Sequence, residues 1–343
     1  MLATTEKETA SVLPQLSYRR TVDRALLHRR AASEVFITDG RAAAGDGYAV
    51  AAKLPTAHPY YGDHLAGSAL VDPVLLLECC RQAETYSGHV FEGVDADQKF
   101  ILRSWSMWLP GLVAPTVRQT STHLSMLVTT RRRRTDGRAP RTLGYDITMT
   151  LGEQVIGGVT IEVGYLSSSA YAHLRGSGRT GAPVLSTEAV ATPATVAPEL
   201  VGRTNPANVL LRDPVLRDGG ARATVRLAVD NRSMFDHPQD HLPGMVLTDA
   251  AQQLCLLAGR ALFGDAPART AMVGFDLAFS KYAELDAPTE VVVHPHDHGR
   301  PGLTPGTRTY LVVFHQRGNV IASGRLSTAR LPESADARIA GAA

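Results

Sequence analysis

The stretch DHLAGSALVDPVLLLECCRQA, residues 63–83, has a counterpart in the same chain, DHPQDHLPGMVLTDAAQQLCL at residues 236–256. Both begin with an Asp-His pair and lead into an apolar segment that carries an acid, with a Gln four residues after the acid. Agreement at several positions in the same order indicates an internal duplication. The alignment pairs Asp63-His64 with Asp236-His237, Pro73 with Gly244, Glu78 with Asp249 and Gln82 with Gln253.

Each apolar segment has the spacing of a buried helix. Pro73 and Pro243 stand where a helix begins, because proline suits the first helical turn. We therefore predict helices over Asp72–Val90 and Gly244–Leu262. The apolar positions of the first segment recur at steps of three and four: Leu75, Leu76, Cys79, Cys80 and Ala83.

Strand-like segments precede and follow both helices. Short lead-in strands are predicted at Glu34–Asp39 and Arg222–Val229. The later strands predict an antiparallel sheet and, together with the helices, an α+β fold. They are Thr122–Thr130, Tyr145–Leu151, Val155–Tyr165, Met272–Tyr282, Glu290–His294 and Thr309–His315.

A stretch rich in Gly, Pro, Thr and Ala separates the two halves at residues 176–204. Its composition is typical of a linker. We therefore divide the chain into an N-terminal tail (1–17), a first domain (18–175), the linker (176–204), a second domain (205–332) and a C-terminal tail (333–343).

Composition excludes several classes of function. The net charge of +2 provides no field that would attract nucleic acid. No apolar run is long enough to span a membrane, and the N-terminus lacks the pattern of a signal peptide, so we expect a cytoplasmic protein. The three cysteines lack metal-ligand spacing, and the cluster at residues 294–298 is typical of an exposed turn, so we predict no metal site.

The first half resembles the 3-hydroxyacyl-carrier-protein dehydratases in the spacing of three residues. His64 stands three residues before Gly67 and fourteen before Glu78. The resemblance implies a hot-dog fold, in which an antiparallel sheet wraps a long central helix, and it implies paired units. Here both units lie in one chain, so we expect a tandem hot-dog fold with composite sites. His64 should approach Asp249, and His237 should approach Glu78.

A closer resemblance, to the A-factor (γ-butyrolactone) synthases, covers roughly residues 18–335. It implies transfer of a 3-oxoacyl group from an acyl-carrier-protein thioester to the hydroxyl of dihydroxyacetone phosphate, followed by cyclisation to a precursor of butyrolactone, butenolide or furan signals. It implies no cofactor. The matching stretches are HRRAASEVFITD (28–39), residues 62–83, NPANVLL (205–211), FDHPQDHLPGMVLTDAAQQ (235–253) and FSKYAELD (279–286).

These resemblances select the candidate site. A histidine near neutral pKa suits removal of a hydroxyl proton, and helix amides suit a developing oxyanion. We expect His64, Glu78, His237 and Asp249 to be catalytic. We expect the substrate to contact Arg81, Gln82, Gln252, Gln253, Gly67 and Gly244.

The second motif departs from the family pattern Glu-Ala-Ala-Arg-Gln. Asp249 is shorter than Glu, and Gln252 lacks the charge of Arg. The first motif keeps Glu78 and Arg81, so we expect the Glu78 half to dominate catalysis.

Other functions on the same fold stay open at this point. One is a dehydratase or thioesterase acting on acyl thioesters, and another is a non-catalytic acyl-binding module. The run Arg131–Arg134 is typical of a solvated hairpin turn, or else it docks an acidic acyl-carrier protein. Formation of a homodimer is also left open.

Overall fold

The computed structural model describes residues 14–44, 47–66, 70–113, 121–132, 140–177, 181–296 and 306–331. The helices are α1 (Pro73–Val90), α2 (Ser168–Gly176) and α3 (Gly244–Phe263). The strands are β1 (Ile37–Ala42), β2 (Gly47–Lys53), β3 (Lys99–Trp108), β4 (His123–Arg132), β5 (Thr142–Leu151), β6 (Gln154–Leu166), β7 (Leu211–Arg217), β8 (Gly220–Val225), β9 (Thr270–Phe279), β10 (Glu290–His296), β11 (Arg308–Gln316) and β12 (Asn319–Arg330).

The strands form one twelve-stranded antiparallel sheet in the order β1-β2-β4-β5-β6-β3-β9-β12-β11-β10-β8-β7. The six strands of the first half are joined to the six of the second at β3 and β9, where Ser104–Trp108 pairs with Gly274–Ala278. Helix α1 packs on strands of the first half, α3 packs on strands of the second, and the two helices touch. The tandem hot-dog prediction is confirmed.

The two central helices begin in different ways. Asp72 caps α1, because its carboxylate accepts a hydrogen bond from the Val74 amide at 2.8 Å. The capping position of α3 is Pro243, which has no side chain able to accept such a bond. The first amide groups of α3 therefore have no side-chain cap, whereas those of α1 have one.

A second repeat, which the sequence analysis did not identify, precedes each half's first strands. Residues 28–37 read HRRAASEVFI, and residues 202–211 read GRTNPANVLL. Both begin with a left-handed residue, His28 at φ 51° and Gly202 at φ 77°, and both contain a short 3-10 helix, Ala32–Glu34 and Pro206–Asn208. Each places an arginine at its second position.

Each of these two segments is hydrogen-bonded to an aspartate of the opposite half. Asp236 accepts from the amides of Arg30 at 2.6 Å and Ala31 at 2.8 Å. Asp63 likewise accepts from the amides of Thr204 and Asn205. The equivalent aspartates of the two Asp-His pairs thus bind equivalent loops of the opposite half, as a duplication with pseudo-twofold pairing requires.

Residues 181–204, the part of the predicted linker that the structure describes, contain a short 3-10 helix at Pro198–Val201. Val196, Val201 and Arg203 are buried there. Within the described parts of the chain, no helix is both long and apolar enough to cross a membrane.

Candidate active site

The carboxylate of Glu78 lies on α1 and is 1% exposed, yet four hydrogen bonds satisfy it. Arg81 donates from Nε at 2.8 Å and from Nη2 at 2.9 Å, so the two side chains form a bidentate pair. Gln82 donates at 2.6 Å, and Arg29 of the first repeated segment donates as well. Burial alone would raise the pKa of Glu78, but the two guanidinium groups outweigh burial and hold it at about 2.

A carboxylate whose pKa is held at about 2 and whose oxygens already accept four hydrogen bonds is a poor general base. Glu78 instead anchors Arg29 and Arg81. The one negative and two positive charges of these three side chains add up to a net charge of +1. The side chain of Arg81 is 22% exposed, and Arg29 is 8% exposed. The site therefore presents a fixed cation to an adjacent cleft.

His237 borders the same cleft from the other half. Gln239 places its amide nitrogen 2.6 Å from Nε2 of His237, so Nε2 accepts and the proton of the neutral ring lies on Nδ1. Nδ1 is 3.6 Å from a carboxylate oxygen of Asp236. Burial would raise the pKa of Asp236, but His237 and the amides of Arg30 and Ala31 lower it to about 2.

A second histidine, His28, also lines the cleft, and its neighbour His89 fixes its tautomer. Nδ1 of His89 is 2.8 Å from the carbonyl oxygen of Val94, which can only accept. In the neutral pair, Nε2 of His89 therefore accepts from Nε2 of His28 at 2.9 Å. Nδ1 of His28 is left as an acceptor, and burial together with His89 and Arg81 lowers the pKa of His28 to about 3.

The cleft has a volume of about 160 Å³ and opens onto a wider basin of about 800 Å³. One end is polar, with His28, Arg81 and His237. The other end is apolar and includes the uncapped start of α3 at Gly244. The apolar walls are Phe100, Leu102, Trp105, Ile161, Val163, Met234 and Met245.

Asp249 occupies the equivalent position on α3 and is fully buried. Arg203 of the second repeated segment donates to it at 2.7 Å, and the hydroxyl of Tyr60 donates to the same oxygen. Gln252 and Gln253 each donate at 3.2 Å. Arg203 thus corresponds to Arg29, but Tyr60 covers the Asp249 carboxylate.

The Asp249 site is smaller and more enclosed than the Glu78 site. Its neighbouring cavity has a volume of about 30 Å³ and is lined by His64, Asp72, Arg203 and Gln252 among others. Arg203 is 2% exposed and also contacts Asp72 at 3.3 Å, the residue that caps α1. Burial, with a further contribution from Arg203, lowers the pKa of His64.

The structure brings the predicted residues into two groups across the halves. Each histidine shares a cavity with an arginine that binds the acid of the opposite half: His237 with Arg81, and His64 with Arg203. Each of these arginines therefore bonds to the acid and borders the cavity of the histidine. Gly67 lies outside the described residues.

Gln82 and Gln253, which were predicted to contact substrate, also form hydrogen bonds with the backbone. Gln82 accepts from the Phe36 amide at 2.9 Å and donates to the Glu34 carbonyl at 2.7 Å. Gln253 makes the same pair of bonds with Leu210 and Asn208. Each glutamine therefore fastens its helix to the lead-in segment of its own half.

The sequence analysis assigned no site role to Arg29, Arg203, Asp236 or His28. The signal was present as the repeat of residues 28–37 in residues 202–211, where an arginine precedes Val by six positions in both copies. Among the described residues, no group of three or more His, Cys, Asp or Glu side chains is placed to hold a metal ion.

Comparisons with known proteins agree with this organisation. The family model described as the A-factor biosynthesis hotdog domain matches residues 14–167 and 185–332. The chain is 32% identical over 317 residues to a 2-oxo-3-(phosphooxy)propyl 3-oxoalkanoate synthase of Streptomyces virginiae, covering 90% of this chain and 97% of that protein. A protein of the same name from Streptomyces coelicolor is 29% identical, with 89% of this chain and 91% of that protein covered.

Solved hot-dog structures also align along most of the chain. The bifunctional dehydratase-cyclase domain in ambruticin biosynthesis has a TM-score of 0.47 and 18% identity, covering 90% of this chain and 99% of that domain. The pyran synthase domain from module nine of the sorangicin pathway has a TM-score of 0.48 and 15% identity, covering 89% and 100%. On the evidence of the family model and of relatives aligned along nearly their whole length, the chain belongs to the A-factor biosynthesis hot-dog family.

Proposed function

We propose that the protein transfers a 3-oxoacyl group from an acyl-carrier-protein thioester to the hydroxyl of dihydroxyacetone phosphate or a similar phosphorylated acceptor, in the biosynthesis of a butyrolactone-type signal. The observation that carries the proposal is the Glu78 site, where a fixed cation and a carboxylate-backed histidine border one cleft. The relatives' name describes an ester of a 3-oxoalkanoic acid with a phosphorylated hydroxyketone.

The polar end of the cleft suits a phosphate. Arg81 and Arg29 are fixed by Glu78, so little side-chain entropy is lost when an anion binds to their remaining N–H groups. Arg30 and Lys99 line the adjoining basin and add positive charge along its wall. An acceptor with a phosphate would therefore bind here more tightly than one without it.

His237 is the base in this proposal. Its Nε2 takes the proton of the acceptor hydroxyl while the oxygen attacks the thioester carbonyl, and ionised Asp236 stabilises the imidazolium that forms. The C–S bond of the tetrahedral intermediate then breaks, and the thiolate leaving group recovers the proton. In this structure the side-chain amide of Gln239 donates a hydrogen bond to Nε2, and the acceptor hydroxyl would take its place there.

The apolar end of the cleft suits the acyl chain. Its thioester carbonyl would accept from the first amides of α3, near Gly244 and Met245, where the positive end of the helix dipole stabilises an oxyanion. At the Asp249 site, the corresponding start of α1 is capped by Asp72. This contrast favours the Glu78 site as the working one.

A product assay tests the proposal. The purified chain is incubated with a 3-oxoacyl-carrier protein, or its N-acetylcysteamine surrogate, and dihydroxyacetone phosphate, and the products are followed by mass spectrometry. We expect the phosphorylated ester or its cyclised form, and much less ester from unphosphorylated dihydroxyacetone. Release of only the free 3-oxo acid would make the protein a thioesterase, and the absence of any product would contradict catalysis.

The remaining partners and boundaries are also proposals. We place the reaction in the cytoplasm, where the free thiols of Cys79, Cys80 and Cys255 would stay reduced. We take the two units as residues 18–175 and 205–332, each contributing one set of side chains to the site.

A further inference from the structure

Trp105, on β3, carries a buried polar group without a partner. The residue is 3% exposed, and its indole nitrogen has no hydrogen-bond acceptor among the described residues. Leaving a buried N–H unsatisfied costs roughly 1–3 kcal/mol, so such groups call for an explanation. The ring is held edge-to-face by Phe275 at 6.1 Å and by Phe279 at 5.8 Å, so the donor has a fixed direction.

The six-membered ring of this indole contacts the start of α3. A Cβ atom placed on Gly244 would lie 3.3 Å from Cζ2 and Cη2 of Trp105. Cζ2 is bonded to the ring carbon that carries the nitrogen, so the N–H group lies next to this contact. Trp105 and Gly244 both line the cleft of the Glu78 site. The unpartnered donor and the uncapped helix amides therefore border the same apolar end.

Two donor sets side by side match a 1,3-dicarbonyl group. In a 3-oxoacyl thioester, one methylene carbon separates the two carbonyls, so their oxygens lie roughly 3–5 Å apart. Resting on the function proposed above, we propose that Trp105 donates its indole N–H to the 3-oxo oxygen while the α3 amides bind the thioester carbonyl. Trp105 is then a specificity-determining residue that distinguishes 3-oxoacyl from saturated acyl donors.

On the facing strand β9, the described residues offer no equivalent donor. In the β3–β9 ladder, Trp105 pairs with Leu277, and Met107 pairs with Phe275. Both of these β9 side chains are buried and neither has a polar atom. This difference agrees with a single acyl site, located at the Glu78 end.

Trp105→Phe tests the inference, because it removes the donor and keeps an aromatic ring. The quantity measured is the ratio of kcat/KM for a 3-oxoacyl N-acetylcysteamine thioester to that for a saturated thioester of equal length. We expect the ratio to fall about tenfold, the scale of one neutral hydrogen bond. Comparing a ratio cancels any general loss from altered packing, which would affect both donors.

Trp108→Phe is the matched control. Trp108 is the only other tryptophan of the chain and lies three positions along the same strand, so it points to the opposite face. This variant should keep the ratio of the unmodified protein. An unchanged ratio in Trp105→Phe, with the unmodified protein active on the 3-oxoacyl donor, would overturn the role of Trp105. Inactivity of the unmodified protein would contradict the proposed function instead.

Fluorescence measured on thioester binding tests the role of Trp105 independently of catalytic activity. In Trp108→Phe, Trp105 is the sole tryptophan, so its fluorescence reports its own surroundings. A 3-oxoacyl thioester should shift the emission to longer wavelength, because a hydrogen bond now forms at the indole nitrogen, whereas the saturated thioester should not. Equal shifts from both thioesters would show that Trp105 does not recognise the 3-oxo group.

Discussion

At the scale of single residues, the Glu78 site separates roles that the sequence motif suggested together. Glu78 is an anchor for Arg29 and Arg81, with a pKa of about 2, and in the proposed reaction His237 is the base, next to Asp236. His28 also lines the cleft, and its lowered pKa, caused by burial and by His89 and Arg81, keeps its ring neutral.

His28 occupies a backbone conformation that the other half gives to glycine. A non-glycine residue at φ 51° carries strain, whereas Gly202 adopts the same turn freely. His28→Gly should therefore change the free energy of unfolding by no more than about 1 kcal/mol, since relief of strain offsets the lost contacts. It should lower kcat/KM about tenfold, because an acceptor in the cleft disappears.

His28→Asn is the companion variant, because Asn tolerates the left-handed region and carries an acceptor near the position of Nδ1. Thermal unfolding and steady-state kinetics of both variants check the idea. His28→Asn should have a higher kcat/KM than His28→Gly. Full activity in His28→Gly would mean that the side chain does not contact substrate.

Glu84 on α1 lines the same cleft, and its charge state should govern part of the pH dependence of stability. Burial raises the pKa of Glu84 from 4.5 to about 7, although Thr85 and Arg81 oppose the shift. Between these two values, the folded protein binds a proton that the unfolded chain does not bind. The stability from this group is therefore greatest below about pH 4.5 and is lost as the pH rises through about 7.

Glu84→Gln is permanently neutral and removes this dependence. Its free energy of unfolding should match that of the unmodified protein near pH 5 and exceed it by about 1–3 kcal/mol at pH 8. Denaturant unfolding at the two pH values measures the difference. A constant difference across this range would contradict the raised pKa.

At the scale of elements, the short helix α2 ties the first half to the loop that carries His237. Its Arg175 is 5% exposed and binds Asp240 at 2.9 Å and Glu284 at 2.7 Å. The same guanidinium lies over the ring of Tyr282, 4.2 Å from its centre. These contacts fix the loop at residues 236–241 through Asp240, which helps to keep His237 in place.

Arg175→Met should lower the free energy of unfolding by about 3–5 kcal/mol, because it removes the buried guanidinium that bonds to both Asp240 and Glu284. Arg222→Met, which removes an exposed pair with Glu290, is the control and should cost less than about 1 kcal/mol. Chemical denaturation compares the two. Equal losses would mean that the Arg175 network is only a surface contact.

At the scale of the whole molecule, duplication produced two equivalent positions with different properties. Both acids bind an arginine from the same repeated segment, Glu78 with Arg29 and Asp249 with Arg203. Tyr60 and Asp72 close the second position, while the first opens onto a cleft. One site is therefore suited to catalysis, and the other joins the two halves.

Glu78→Gln and Asp249→Asn compare these roles. Glu78→Gln should lower kcat/KM on the order of 100-fold, because it releases the positioned arginines. Asp249→Asn should cost clearly less in rate but about 3 kcal/mol in unfolding free energy, because buried Arg203 loses its main partner. Rates on the folded variants, together with denaturation curves, check both. If folded Asp249→Asn is as inactive as Glu78→Gln, the Asp249 site is the working one.

The repeat of residues 63–83 in residues 236–256 was sufficient to predict the duplication and both central helices, because helical spacing and turn residues are local properties of the chain. The tandem hot-dog fold followed from the resemblance to the dehydratases. The two Asp-His pairs were visible for the same reason. The partners of the acids were not. Arg29 lies 49 positions from Glu78, and Arg203 lies 46 from Asp249. Such contacts depend on how each lead-in segment folds back over the helix of its own half, and burial then sets which carboxylate is open to a substrate. The motif difference between Arg81 and Gln252 indicated that the two halves are unequal, but the covering of Asp249 by Tyr60 of the other half is a property of packing across the molecule that no local pattern in the sequence contains.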